Sequence, residues 1–334
     1  MRLIMFTLHI INLCLLLLDC FVSRFFLDPR NDHVITFLPP SLRAKRSNLN
    51  SNLRHPLYAV FIRATNFVHL QINIEEMSKF KLTIEYEGTR YSGWQMQKGG
   101  KTIQGEILDA CRELFATDKL DITGAGRTDG GVHALAQIAH LEVDTDLAPL
   151  KIKYGINDRL PPDICIINVE EAHPKFHARF DANARSYIYQ ISRRRTAFGK
   201  KFVWWIKDPL DINLMNEAAI HFPGLKDYRY FTDEEGEQSS TKVEILHAKV
   251  NDFGDMLVFH IVGSHFLWKQ VRRMTGVLVE VGRGKLSPAD VATFFKIKTD
   301  IPAKLTSPPS GLFLEKVYYK DEEISYETRP VINI

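Results

Sequence analysis

Four cysteines serve 334 residues, and no two of them form a C-x-x-C pair. That excludes a zinc ribbon and a dithiol redox motif. Cys14 and Cys20 lie in the first 76 residues; Cys111 and Cys165, far apart in the remainder, read as buried and reduced side chains of a cytosolic protein. Charge of one sign is scarce as well. The net charge is +3, but residues 1–76 hold eight Lys/Arg against five Asp/Glu, which leaves 35 of each in the rest of the chain. A neutral body gives no bulk argument for a nucleic-acid partner, so any such argument must come from local clusters. The phosphate-loop pattern G-x-x-x-x-G-K-[ST] is missing too, which removes the commonest nucleotide-binding device.

Long apolar runs are limited to one. Leu3–Leu18 is broken only by Thr7, His9 and Asn12 and is preceded by Arg2. It is short for a membrane span and close to the apolar region of a secretory signal, but no small-x-small cleavage site follows it. From Asp28 to Gln71 no period of 2 or 3.6 is sustained. A signal or anchor, a disordered extension and a start codon placed too far upstream all fit. The missing periodicity and cleavage site favour the last, with the working protein expected to begin near Met77. A peptide from residues 30–70 in mass spectra of the native protein would refute that expectation.

From Met77 onward the pattern is that of a folded α+β protein. Phe80, Leu82, Ile84 and Tyr86 alternate as a half-buried strand, and Thr102 precedes a helix carrying Ile103, Ile107, Leu108, Cys111, Leu114 and Phe115 on one face. A strand at 120–123 leads into a glycine-rich loop, Leu135–Val143 alternates again, a helix near Leu150–Arg159 stops before Pro161-Pro162, and Ile164–Val169 closes this half. The second half offers strands at Arg185–Ser192, Val243–Val250, Met256–Val262 and Leu312–Tyr319. Its helices are expected near Ile212–His221, Leu267–Val281 and Pro288–Phe295, with an exposed loop at Asp233–Ser240. Without a strict βαβα order, the expectation is a largely antiparallel sheet. The expected divisions are an extension at 1–76, subdomains at 77–178 and 179–320, and a tail at 321–334.

The most informative stretch is the loop Gly124-Ala-Gly-Arg-Thr-Asp-Gly-Gly-Val-His-Ala134. Gly126, Gly130 and Gly131 permit a tight turn around Asp129, and Arg127, two positions away, is placed to hold the carboxylate charged and aimed. Such a carboxylate suits a nucleophile or base. An aspartate that merely closes an Asx-turn fits the same local chemistry. A dinucleotide loop does not, because it needs glycine where Asp129 stands and a helix next.

Gly126-Arg-Thr-Asp-Gly-Gly-Val-His-Ala134 resembles the G-R-T-D-x-G-V-H-A signature of the TruA family of tRNA pseudouridine synthases. Supporting segments follow in order: Tyr86-Glu-Gly-Thr-Arg-Tyr-Ser-Gly-Trp94 with Gln95, Phe176-His-Ala-Arg-Phe180, Ala184-Arg-Ser-Tyr-Ile-Tyr189, Phe266-Leu-Trp-Lys-Gln-Val-Arg272 and Gly311-Leu312. The likeness covers about Lys79–Tyr319. It implies a pseudouridine synthase fold, with two α/β subdomains of mostly antiparallel sheet flanking a central RNA-binding cleft. It also implies a cytoplasmic homodimer acting on uridines 38 to 40 of the tRNA anticodon arm, with no cofactor, no metal and no membrane partner for residues 77–334. Residue by residue, it implies catalysis by Asp129, packing of Tyr187 against the target base, pairing of Arg272 with Asp129, and help from Arg127 in displacing the nucleotide. Trp268 and Lys269 depart from the histidines that many relatives carry. A catalytically silent RNA-binding or tRNA-chaperone protein is the alternative from another class, and a relative specific for other uridines is the alternative enzyme.

Local clusters offer phosphate contacts: Arg193-Arg194-Arg195, Lys200-Lys201, Lys269 with Arg272-Arg273, and Arg283 with Lys285. Alone, each such cluster is as readily a solvated face. His173-x-x-x-His177 invites a metal reading, but Pro174 intervenes and no third ligand is suitably spaced, so both are expected to be structural.

Overall fold

A computed structural model describes residues 77–233 and 240–333. The readings made for residues 1–76, and the interior of the loop expected at Asp233–Ser240, lie outside the described residues. No helix among the described residues is long and apolar enough to cross a membrane.

Alternation in the sequence becomes one large sheet. Its strands are β1 (Ser78–Tyr86), β2 (Leu120–Gly124), β3 (His133–Val143), β4 (Ile164–Glu171), β5 (Ala184–Ser192), β6 (Trp204–Trp205), β7 (Gly224–Asp227), β8 (Lys242–Phe253), β9 (Met256–Gly263) and β10 (Leu312–Tyr318). The order is β4-β1-β3-β10-β5-β9-β8-β7, with β2 on β3 and β6 on β5. Pairing is antiparallel except for β10 with β3 and β6 with β5, so the largely antiparallel α+β expectation holds. The last strand, β10, lies between β3 of the first half and β5 of the second, and the sheet runs through both.

Helices cover one side of the sheet. They are α1 (Ile103–Phe115), α2 (Pro149–Asn157), α3 (Ile212–Ala219), α4 (Gln270–Gly282), α5 (Pro288–Thr293) and α6 (Ile301–Lys304). Thr102 caps α1 by accepting the Gly105 N–H, and its apolar stripe of Ile103, Ile107, Leu108 and Cys111 is buried, as the 3.6 period requires. Leu82, Ile107, Leu141, Tyr189, Phe259 and Leu278 belong to one continuous core. On the other face Ile188, Val258 and Phe313 form a smaller cluster, against which Val331 and Ile332 of the C-terminal segment pack. β6, β7 and α6 were not expected from the sequence: two to four residues are too few to display a period.

One cysteine departs from expectation. Cys111 is buried, and burial pushes its thiol up to about 12, but Cys165 is exposed. On β4 it stands between Ile164 and Ile166, both buried, so the pleat turns its side chain outward.

Register positions the site. β10 sets Leu314 beside Ala134 of β3 on one edge and beside Tyr187 of β5 on the other. The loop that ends where β3 begins therefore lies two strands from Tyr187, on the order of 10 Å across the sheet.

Candidate active site

The loop 125–132 is gripped by the segment that follows β1. Trp94 N–H donates to the Thr128 carbonyl (3.1 Å) and Gly131 N–H to the Tyr91 carbonyl (3.2 Å). Beneath the loop the Tyr86 hydroxyl meets Thr128 Oγ1 at 2.8 Å, and Gln137 Nε2 donates to the Gly126 carbonyl at 2.8 Å. Close approach explains two glycines. Gly93 has φ +102°, and a Cβ there would stand 2.5 Å from the Thr128 carbonyl oxygen; Gly131 has φ +80°, and a Cβ there would stand 2.8 Å from Pro309 Cγ. The sequence reading gave Gly126 and Gly130 the same importance. Neither has positive φ, and space beside Gly126 is open. The loop's tightness comes from segments pressing on it rather than from successive left-handed residues.

Asp129 sits at the turn of this loop, and the cation beside it is Arg272, in the first turn of α4. Arg272 Nη1 donates to Asp129 Oδ2 at 3.0 Å, with the two side chains only 14% and 19% exposed. The same guanidinium donates from Nε to the Ser307 carbonyl (2.8 Å), while Ser307 N–H returns a bond to the Arg272 carbonyl (3.1 Å). Tyr189 OH fixes the adjoining Pro308 carbonyl at 2.7 Å. Arg127, which local spacing suggested as the cation at Asp129, is instead exposed on the cleft wall and has no ion pair among the described residues. At a tight turn, a neighbour two positions away diverges from the side chain at its tip.

Tyr187 completes the group from β5. Its ring meets Phe266 edge-on, with centroids 5.1 Å apart. Burial, the largest influence, pushes its hydroxyl up to about 12, so the ring is uncharged at any ordinary pH. Asp129, Arg272, Tyr187 and Arg127 all line one cleft of about 970 Å³.

Sequence reasoning missed Arg185. Two residues before Tyr187 and on the same face of β5, it is buried and donates to the carbonyls of Ala182 (3.0 Å), Ser264 (2.8 Å), Ala125 (3.1 Å) and Arg179 (2.8 Å). A charged residue in phase with Tyr187, Tyr189 and Ile191 was the available signal. Trp94, Thr128 and Ser307 were missed as loop supports and carry no comparable signal, because they act largely through backbone groups.

Most of the basic clusters are internally paired. Arg193 binds Asp252 (2.6 Å), Arg194 binds Asp255 (3.1 Å) and Lys269 binds Asp233 (2.8 Å). Arg273 also pairs with Asp233, Arg283 with Asp208 (2.8 Å), Lys285 with Glu280 (3.4 Å) and Lys201 with Glu87 (3.4 Å). Arg127, Arg179 and Lys200 are exposed and without ion pairs among the described residues. His173 and His177 each use Nδ1 to accept backbone N–H groups, from Lys175 and from Arg179 and Phe180 respectively, which is a turn-closing task.

A family profile described as tRNA pseudouridine synthase matches residues 82–181 and 218–320. The chain is similar to the tRNA pseudouridine synthase A of Geobacillus kaustophilus (strain HTA426), at 37% identity over 246 residues, covering 73% of this chain and 95% of that protein. It is likewise similar to the tRNA pseudouridine synthase A of Geobacter sulfurreducens, at 37% identity over 245 residues, covering 73% of this chain and all of that protein. A solved structure of an H/ACA RNP bound to a substrate RNA containing 2'-deoxyuridine overlaps 64% of this chain and 46% of that one. Its TM-score is 0.29 and its identity 9%, too slight a likeness to argue from.

Proposed function

We propose that this chain, which belongs to the tRNA pseudouridine synthase family, isomerises uridine to pseudouridine at positions 38 to 40 in the tRNA anticodon arm, using Asp129 and no cofactor. The observation that carries the residue assignment is the Asp129–Arg272 pair, 3.0 Å apart in the cleft that Tyr187 also lines. The reaction breaks the bond between ribose C1′ and uracil N1, turns the base, and joins C1′ to C5. C5 loses a proton and N1 gains one. Nothing is oxidised and no group is added, so the chemistry itself calls for no redox partner.

Each side chain has a task in that sequence. The target base must leave its stack before an enzyme can reach the sugar. The uncharged ring of Tyr187 then replaces the stacking that is lost, at about 1–3 kcal/mol per base. As the C1′–N1 bond breaks, positive charge grows on the sugar, and the Asp129 carboxylate stabilises it from a fixed position. Arg272 supplies that fixity by tying Asp129 to the Ser307 carbonyl. Arg127, exposed on the cleft wall, is assigned to displacing the nucleotide, and Arg179 and Lys200, exposed and without an ion pair among the described residues, to phosphate. A silent RNA-binding protein of the same fold is less well supported. Binding alone needs no carboxylate held by an arginine inside a cleft.

The same reading makes the working unit a homodimer that grips one tRNA, which sedimentation with and without tRNA tests. The decisive experiment compares the purified chain with its Asp129→Ala variant on unmodified tRNA. Pseudouridine at 38 to 40 is expected from the first, and tRNA binding without product from the second. An active Asp129→Ala variant would remove the mechanism.

A further inference from the structure

Trp268 is the feature that the reaction described above leaves unused. It lines the same cleft as Asp129, yet the residue is 49% exposed to solvent. Exposure alone is ordinary, but an aromatic face on a cleft wall is the kind of surface on which a nucleic-acid base stacks. Lys269, the next residue, has φ +61°, a left-handed conformation that side-chain-bearing residues avoid and that clusters at functional sites. Its ammonium lies 4.3 Å from the indole centroid and donates to Asp233 Oδ2 at 2.8 Å, and Arg273 pairs with the same aspartate. The Trp268 carbonyl accepts the Thr232 hydroxyl at 3.1 Å. The backbone at Trp268 is thus held, and a cation stands over one face of the indole, before any ligand arrives, which lowers the ordering cost of binding on the ring.

We propose that Trp268 is a second stacking platform, taking the base of an unpaired nucleotide adjacent to the target uridine. The proposal rests on the tRNA-modifying reading. Extruding one base exposes the π-face of its neighbour, and an indole recognises such a face whatever the base. The rest of the wall suits RNA better than an apolar peptide: Gln95, Gln97, Arg127 and Arg179 line it alongside Trp268. Trp268 also lies four residues before Arg272, so the platform and the Asp129 ion pair are carried by one segment.

The test is a coupling experiment on the full chain. Wild type, Trp268→Ala and Trp268→Phe are titrated with an unmodified anticodon stem-loop RNA and with RNAs carrying one abasic nucleotide at each position flanking the target uridine. Trp268→Ala is expected to weaken binding of the intact RNA by roughly 5- to 100-fold, and Trp268→Phe by less, since a ring remains. At one flanking position the abasic RNA is expected to bind wild type and Trp268→Ala equally. Equal affinity of both proteins for the intact RNA overturns the proposal, and so does the same loss on every abasic RNA. Pseudouridine formation by wild type on the intact RNA reports separately on the tRNA-modifying reading. Its absence would sink that reading, while the abasic coupling addresses the platform alone.

Discussion

The guanidinium of Arg272 donates from Nη1 to Asp129 Oδ2 across 3.0 Å, joining residues 143 positions apart in the chain. The same side chain donates from Nε to the Ser307 carbonyl. Lysine offers a point charge in place of a planar fork, so it lacks the rigid pair of donors that holds both acceptors here. Arg272→Lys is therefore expected to lower kcat by about 100-fold or more while KM for tRNA changes less, because charge stabilisation depends on a fixed carboxylate. Single-turnover kinetics on unmodified tRNA would check this. A Lys variant with wild-type kcat would show that the fork is not needed.

The loop's two kinds of glycine separate by substitution. Gly131→Ala places a Cβ 2.8 Å from Pro309 Cγ at a backbone φ of +80°, whereas a Cβ at Gly126 meets nothing within 4 Å. The first change is expected to cost about 1–3 kcal/mol and the second no more than about 0.5 kcal/mol. Urea denaturation of the two variants measures both. Equal costs would contradict the account of how the loop is held.

Much of this architecture was legible in the sequence, for reasons tied to particular residues. Phe80 to Tyr86 and Ile103 to Cys111 announced their elements because one face of each is buried, and burial imposes a period. The loop around Asp129 stood out because glycine, arginine and aspartate are crowded there. Parts that act through carbonyls were silent. Ser307 and Pro308 brace Arg272 and Tyr189 with backbone oxygens, which every residue possesses. Arg127 was over-read at Asp129 for a related reason, since spacing along the chain says little about direction at a turn. Long-range pairs such as Asp129 with Arg272 were reached through resemblance to a known family and not through local chemistry.

Arg185 gives a third expectation. Its four bonds to the carbonyls of Ala182, Ser264, Ala125 and Arg179 tie β5 to the start of the Asp129 loop. Arg185→Met relieves a buried charge but strips the donors from those carbonyls. The net loss is expected to be roughly 2–4 kcal/mol, with reduced kcat, because the loop loses its tether at Ala125. Arg185→Lys should recover part of both, its ammonium reaching some of the same oxygens. Denaturation and kcat measured together would refute the tether if stability fell and kcat did not.

Acid stability follows from buried histidines. His133 Nδ1 accepts the Gly88 N–H and His140 Nδ1 the Ala178 N–H, each at 3.1 Å, with both rings almost fully buried. Burial, the largest influence, holds both below the ordinary histidine value of 6.5 in the folded state. The unfolded chain takes up these protons as pH falls through about 6.5, while the folded protein takes them up only at lower pH. Their contribution to stability is therefore complete above that value. It declines on acidification through the window beneath it, at no more than about 1.4 kcal/mol per pH unit for each residue. Carboxylates such as Asp227, held down at about 2 chiefly by its bond from Arg229, titrate in a lower window and do not obscure the effect. Urea midpoints are expected to be flat from pH 8 to 7 and to fall from pH 6.5 to 5. His140→Gln keeps an acceptor for the Ala178 N–H without a titrating ring, so its profile should fall less steeply. An unchanged slope in that variant would mean that His140 takes up its proton as readily in the fold as out of it.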